Sequence, residues 1–142
     1  MRPAHVARLL KVVAALILSQ PFIGTNAVAQ SRENVLYAFT VPAPNCFGPA
    51  APLVADAAGN LYGTTIGGGV DGDGCVFELS PTDSGWEQAV LYNFSGIGGW
   101  GPASALVFDK LGNLYGTTER GGMYDAGVAF ELSPSSDVSD SW

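Results

Sequence analysis

The sequence predicts an all-β fold made from a tandem repeat, in the manner of a β-propeller with about two blades of four antiparallel strands. The first observation is that "GNLYGTT" occurs at residues 59–65 and returns 53 positions later, at 112–118. The second is that the same offset carries "VFELSP" at 76–81 onto "AFELSP" at 129–134. The third is the alternation of apolar residues in short segments bounded by glycine, which is typical of strands. Four such segments in one repeat match the size of a propeller blade.

The first 29 residues have the pattern of a secretory signal peptide. The basic residues Arg2, Arg8 and Lys11 precede the apolar run "VVAALIL", and the small residues of "AVA" end at Ala29. The apolar run is shorter than the roughly 18–20 residues that span a bilayer. We therefore expect cleavage after Ala29 and secretion of the remainder; an uncleaved membrane anchor is the alternative.

The expected mature chain, residues 30–142, is strongly acidic. It keeps only Arg32, Lys110 and Arg120 as basic residues against all 13 acidic ones, so its net charge is 3 − 13 = −10. This charge disfavours nucleic acid and anionic membrane surfaces as partners, because binding their phosphates requires Lys and Arg. The only histidine, His5, lies in the expected signal peptide. The sequence therefore predicts no cofactor, no zinc site and no histidine-dependent nucleophilic enzyme.

The segment "VLYAF" at 35–39 predicts an N-terminal strand, since it matches "VLYNF" at 90–94, the last strand of repeat 1. Repeat 1 covers about 49–94 and repeat 2 about 102–142, and repeat 2 shows no counterpart of "VLYNF". Three alternatives remain open: a fragment of a longer product, an oligomer of two-blade units, or a chain that closes on itself. In the last two, the N-terminal strand supplies the missing one. Without such closure, the unpaired edge strand predicts self-association.

Each repeat contains a Gly-Asn pair between two short apolar runs, which predicts a tight hairpin turn because both residue types tolerate positive φ. An aspartate precedes each pair and is expected to accept hydrogen bonds from the backbone amides of the turn. The predicted turn residues are Asp56, Gly59 and Asn60 in repeat 1, and Asp109, Gly112 and Asn113 in repeat 2.

Cys46 and Cys75 are the only cysteines, and an exported chain folds in an oxidising compartment, so they predict a disulfide. The corresponding positions of repeat 2 are Gly99 and Val128, so both cysteines are missing there together. That pattern is expected of a bridge within one blade. Two free buried thiols are the alternative.

Two loop features are candidate binding residues. In "DGDG", Asp71 and Asp73 lie on a glycine-rich loop where carboxylate oxygens can converge on Ca²⁺, although a solvated turn is the simpler interpretation. Trp100, in "GGWG", is a candidate for stacking on a sugar ring or a peptide. A carbohydrate or a surface protein is therefore the expected kind of partner.

Glu78 and Glu131 are equivalent positions of the two repeats and form a candidate carboxylate pair. Glycosidases use two carboxyl groups roughly 5–10 Å apart. Alternation places both glutamates opposite the Phe-Leu side of their strands, so exposed strand positions are the simpler interpretation. A catalytic pair is the less favoured alternative.

The combined pattern "DxxGNLYGTT…GG…VFELSP…W…VLYxF" resembles the GloVer (Gloeobacter–Verrucomicrobia) repeat family of secreted bacterial proteins over nearly all of residues 35–142. The resemblance implies an extracellular, propeller-like repeat protein, with no established enzymatic activity and no catalytic residues. We therefore expect a secreted or cell-surface β-repeat protein with a structural or ligand-binding role rather than an enzyme. The alternative is an extracellular carbohydrate-active enzyme that uses paired carboxylates.

Overall fold

The computed structural model describes residues 31–41 and 44–134. The predicted signal peptide, residues 1–29, lies outside the described residues, as does the C-terminal end of repeat 2. The chain divides into two units, Met1–Glu33 and Asn34–Trp142, and every described strand belongs to the second. In the part of the chain that the structure describes, no helix has the length and apolar character needed to cross a membrane.

Two antiparallel sheets make up the described part of the second unit. The strands are β1 (Cys46–Pro49), β2 (Val54–Ala55), β3 (Leu61–Gly68), β4 (Cys75–Thr82), β5 (Gly85–Asn93), β6 (Val107–Phe108), β7 (Leu114–Thr117) and β8 (Ala129–Leu132). Sheet 1 has the order β1-β3-β4-β5, with β2 also paired to β3, and sheet 2 has the order β6-β7-β8. A 3-10 turn, Gly96–Gly98, follows β5. The predicted all-β class is confirmed, and over residues 31–41 and 44–134 neither sheet closes on itself.

Within the described residues, the number of strands in each sheet differs from the predicted four. Sheet 1 has five because β3 is eight residues long and pairs with two short strands in succession. Val54 of β2 lies opposite Tyr62, and Pro49 of β1 lies opposite Thr65. Among the described residues, sheet 2 has three strands, which are the counterparts of β2, β3 and β4.

The N-terminal segment 35–39 is not a strand, which corrects the sequence prediction. It lies on a face of sheet 1 instead of along an edge. The ring of Phe39 packs edge-to-face on Phe77 with 5.1 Å between ring centroids, and the Tyr37 hydroxyl donates to the side-chain oxygen of Gln88 at 3.4 Å. A sheet face offers side chains and no free backbone groups, so aromatic packing holds this segment where ladder hydrogen bonds were expected.

Sheet 1 is covered on both faces. We call the face that carries Tyr62 and Val76 its front face, and the face that carries Phe77 and Leu79 its back face. The front residues join a core cluster shared with sheet 2. The back residues join a second cluster with the disulfide cysteines, against which the N-terminal segment packs. Because both faces are covered, β4 is buried at successive positions from Cys75 to Leu79, where one exposed face was expected.

The two sheets meet through unlike faces. Sheet 2 presents Leu114 and Phe130 to the front of sheet 1. The counterparts of these two residues in sheet 1 are Leu61 and Phe77, which lie on its back face. The contact is therefore front to back, a heterologous arrangement in which each unit uses two different surfaces. The front face of sheet 2, the counterpart of the front of sheet 1, points away from this contact.

Candidate functional site

The repeated phrase builds a compact turn around an aspartate. One carboxylate oxygen of Asp56, Oδ1, accepts hydrogen bonds from the backbone N–H groups of Ala58 and Asn60, both at 2.9 Å. Its other oxygen, Oδ2, accepts from the side-chain amide of Asn60 at 2.9 Å and from the hydroxyl of Tyr62 at 3.0 Å. Gly59 supplies the positive φ, 92°, that the turn requires. All four hydrogen bonds are local to the hairpin.

The second repeat builds the same turn around Asp109. Oδ1 accepts from the backbone N–H groups of Leu111 at 2.8 Å and Asn113 at 2.9 Å. Oδ2 accepts from the Asn113 amide at 2.8 Å and the Tyr115 hydroxyl at 3.2 Å. Gly112 has a φ of 89°. The identical residues of the two copies thus serve one hydrogen-bond arrangement.

The role of the two asparagines differs from the prediction. Among the described residues, Asp125 is the only residue other than glycine with a positive φ, so neither Asn60 nor Asn113 has one. Each asparagine contributes its backbone and side-chain N–H groups to the aspartate instead. The turn therefore needs asparagine as a donor rather than for its conformational freedom.

These contacts determine the protonation states of the ionisable side chains in the turns. Burial raises the pKa of Asp56, but the hydrogen bonds from Asn60, Tyr62 and Ala58 outweigh it and bring the pKa below its ordinary value of 3.8. The pKa of Asp109 is lowered in the same way, with hydrogen bonds overcoming desolvation. Burial, with the nearby charges of Glu78 and Asp56, raises the pKa of Tyr62 to about 12. Both aspartates therefore stay ionised as acceptors.

The two turns line one groove between the sheets, with a volume of about 430 Å³. Its wall includes Asp56, Tyr62, Phe108, Asp109 and Lys110. The groove is thus where the structure brings together the two predicted turn aspartates. Because these aspartates accept hydrogen bonds within the turns and have lowered pKa values, they are suited to stabilising the fold and not to donating protons.

A glycine in each repeated phrase makes room for an aromatic ring, a function that the sequence analysis missed. Gly63 lies opposite Phe77 in the ladder, and a Cβ at Gly63 would come within 2.7 Å of the Phe77 ring. Gly116 lies opposite Phe130, and a Cβ there would come within 2.5 Å of that ring. A glycine inside a strand signals close approach by another group, so the sequence did contain the signal.

A threonine of the phrase closes the loop that follows it through hydrogen bonds between its hydroxyl and the loop backbone. The hydroxyl oxygen of Thr65 accepts from the backbone N–H of Cys75 at 3.3 Å, and that of Thr118 accepts from Val128 at 3.1 Å. Each hydroxyl also donates to a carbonyl two residues further along the chain. The two copies again make the same contacts, so the phrase specifies structure throughout its length.

A family model described as the Gloeobacter/Verrucomicrobia repeat matches residues 25–140. The chain belongs to this repeat family. The match confirms the resemblance inferred from the sequence. No curated protein and no solved structure matches the chain. Within this Gloeobacter/Verrucomicrobia repeat, the turn, the glycine and the threonine occur in both copies with the same contacts. The candidate glutamate also occurs in both copies, but in different surroundings, whereas the cysteines occur in the first copy alone.

The disulfide belongs to the first Gloeobacter/Verrucomicrobia repeat alone. Cys46 and Cys75 are bonded, with 5.8 Å between their Cα atoms, and both are fully buried. They link β1 to the first residue of β4, and β3 lies between these strands in the sheet. The bond therefore holds β1 onto sheet 1, at a place where the described part of repeat 2 has only the isolated bridge between Trp100 and Arg120.

The loop candidates are brought together in part. The Asp73 carboxylate accepts from the backbone N–H of Gly96 at 2.9 Å, and its carbonyl accepts from Gly101 at 3.0 Å. Trp100, in the same inter-sheet loop, forms an antiparallel bridge with Arg120 and is 41% exposed. Asp71 is exposed and contributes nothing to these contacts. Within residues 31–41 and 44–134, no three or more His, Cys, Asp or Glu side chains gather as a metal site would require.

The two candidate glutamates lie in different layers. Glu78 is opposite Tyr62 on the front of sheet 1, 9% exposed, and accepts from the Ser80 hydroxyl at 2.7 Å. Glu131 is exposed on the front of sheet 2, where it lies opposite Tyr115. The expectation that both positions are exposed is therefore wrong for Glu78. Because sheet 2 separates the two front faces, the glutamates do not share a cleft.

Proposed function

We propose that this chain is a secreted or cell-surface structural protein, in which repeat units stack front to back in the manner of propeller blades and present their loops for binding. The observation that carries the proposal is the recurrence of one contact. Phe94 covers Phe130 of sheet 2 as Phe39 covers Phe77 of sheet 1, at 5.1 Å between ring centroids in both cases. Each unit is thus completed by a segment from outside its own sheet.

The chemistry of the carboxylates favours a structural role over catalysis. A general acid needs a pKa raised toward neutrality, whereas the groove aspartates Asp56 and Asp109 have lowered pKa values. The glutamate pair, Glu78 and Glu131, is separated by a sheet. No observation favours the carbohydrate-active alternative, so we propose binding or structure without turnover.

An extracellular location fits both the buried disulfide and the acidic charge. Disulfides persist in oxidising compartments, and a high net charge keeps a secreted protein soluble. Trp100 is the candidate residue best placed for a partner, since Asp73 holds its loop by hydrogen bonds while the residue stays 41% exposed. We propose a carbohydrate or a surface protein as that partner.

The experiment is expression of the full chain with a C-terminal tag, followed by fractionation and intact-mass analysis without reductant. We expect the chain in the cell envelope or the medium, with residues 1–29 removed and with Cys46 and Cys75 oxidised. A cytosolic chain of full mass with two free thiols would overturn the proposed location. Turnover of chromogenic glycosides that is lost in Glu78→Gln would overturn the proposed role, with Glu87→Gln as the control for loss of an exposed charge.

A further inference from the structure

The front face of sheet 2 leaves apolar side chains in solvent. Val107 is 62% exposed and Tyr115 is 37% exposed, and together with Ala129 they line a cleft of about 360 Å³. Their counterparts on sheet 1 are Val54, Tyr62 and Val76, which pack against sheet 2. The same residue types are thus core in one unit and surface in the next.

The structure shows what covers such a front face. On sheet 1, the Tyr62 ring meets Phe108 edge-to-face at 5.0 Å, and Phe108 belongs to the back of the following sheet. A front face of this kind therefore fits the back face of another repeat. The chain contains a second back face, on sheet 1, with Phe77 and Leu79 in the places that Phe130 and Leu132 occupy on sheet 2.

Residues 35–39 cover this second back face, and their position indicates how a second copy would dock. Phe39 lies on Phe77 of sheet 1 as Phe94 lies on Phe130 of sheet 2, and the internal packing of residues 35–39 and 90–94 agrees. Tyr37 meets Phe39 at 5.2 Å, and Tyr92 meets Phe94 at 5.0 Å, both edge-to-face. The N-terminal segment therefore has the side-chain arrangement of the last strand of a preceding repeat.

The two segments differ in their backbone pairing. Residues up to Asn93 pair with β4 of their own sheet, whereas residues 35–39 have no ladder partner among the described residues. The counterpart of β4 in sheet 2 is β8, and within the described residues β8 pairs on one side only, with β7. Among the described residues, β8 thus has one edge without a ladder partner, and residues 35–39 form a segment without a ladder partner.

We propose that the front face of sheet 2 docks a second copy of this chain, whose residues 35–39 pair along β8 and, together with the sheet 1 back face on which they lie, pack over Val107 and Tyr115. The pairing is strand addition at a sheet edge. This inference rests on the stacking role proposed above and names the partner for it. Because the contact is front to back, one copy uses sheet 2 and its partner uses the N-terminal segment with sheet 1, so the assembly is heterologous.

The test measures the solution mass of the purified full chain over a range of concentrations by sedimentation velocity. We expect mass to rise above that of one chain, and to rise further with added salt, which screens repulsion between two acidic copies. Val107→Glu places a charge on the acceptor face and is expected to weaken association at least about tenfold. Leu111→Glu is the matched control, because Leu111 is 83% exposed on the Asp109 turn, outside the proposed contact.

A second variant tests the donor side. Val35→Pro removes a backbone donor and obstructs strand pairing, while Val35 is 70% exposed and in no strand, so the fold is expected to persist. The Val107→Glu variant keeps an intact donor segment, and the Val35→Pro variant keeps an intact acceptor face. Mixing Val107→Glu with Val35→Pro is therefore expected to give a one-to-one pair at concentrations where each variant alone stays mostly monomeric.

Several outcomes would overturn the inference. They are a wild-type chain of constant monomer mass, an assembly that neither variant weakens, and a mixture that fails to pair although circular dichroism shows both variants folded. A secreted, oxidised chain that stays monomeric would overturn self-docking and leave the proposed location and structural role standing. A chain retained in the cytosol would count against the proposed function instead.

Discussion

Phe94 lies edge-to-face on Phe130, with 5.1 Å between the ring centroids. The first ring ends the last strand segment of one repeat, and the second belongs to the sheet of the next. The residues that pack together are therefore not those of one sequence repeat, because Phe94 belongs to repeat 1 and packs on the sheet formed by repeat 2. The two repeats of this chain are therefore stabilised by contacts with each other in addition to their own strand pairing, as expected of stacked architectures.

We expect Phe94→Ala to lower the free energy of unfolding by about 3–5 kcal/mol, because Phe94 is fully buried between the two sheets. Urea denaturation followed by fluorescence measures the change. Phe39→Ala is the matched comparison, since Phe39 makes the same ring contact from a partly exposed position and is expected to cost less. Equal losses in the two variants would contradict the view that Phe94 belongs to a shared core.

The glycine opposite each ring gives a second prediction. Gly63→Ala puts a Cβ within 2.7 Å of Leu53 and Phe77, and Gly116→Ala puts one within 2.5 Å of Phe130. We expect each to destabilise by about 1–3 kcal/mol through overpacking. Thermal denaturation measures the melting temperatures of both variants. The control is Gly98→Ala, whose Cβ would have its nearest neighbour at an ordinary van der Waals distance of 3.5 Å. A loss in the control as large as in the strand variants would disprove the steric explanation.

The Asp56 turn predicts a dependence of stability on acid. The folded pKa is lower than the ordinary value of 3.8, so the carboxylate contributes fully above that pH and its contribution is lost as the pH falls through the folded pKa. We expect Asp56→Asn to cost about 1 kcal/mol at neutral pH, with a difference from wild type that shrinks in acid. Urea midpoints measured along a pH series test this.

The control for the acid prediction is Asp71→Asn, which removes the same charge from an exposed loop. We expect its effect to be small at every pH. If Asp56→Asn keeps a constant difference from wild type down to low pH, the hydrogen bonds to the ionised carboxylate are not the source of its stability.

The disulfide gives a fourth prediction. Cys46 and Cys75 are separated by 29 positions, and opening a loop of this size is expected to cost about 3 kcal/mol. The double variant Cys46→Ser with Cys75→Ser should therefore unfold at lower urea concentration, and reductant should move wild type by the same amount. Reductant should leave the double variant unchanged. If reductant also lowers the urea concentration at which the double variant unfolds, reductant affects stability by a route other than this disulfide.

The sequence predicted the features that depend on residues close together in the chain or on comparison of the two repeats. The aspartate and glycine of each turn follow from local chemistry, and the cysteine pair follows from its joint absence in repeat 2. The features that depend on packing between layers were not predictable in this way. Periodicity alone does not show that a second sheet covers Glu78, or that residues 35–39 lie on a face with Phe39 against a ring instead of along an edge. The role of Gly63 required the position of the facing phenylalanine.

The Asp56 and Asp109 turns have a consequence for the order in which the chain folds. The hydrogen bonds to each carboxylate come from two, four and six positions away, so closing each turn carries little loop entropy. Each hairpin can therefore nucleate independently, before the distant cysteines meet or the layers collapse onto each other. We expect Asp56→Asn to slow refolding while leaving the unfolding rate nearly unchanged, the kinetic signature of a residue in the folding nucleus.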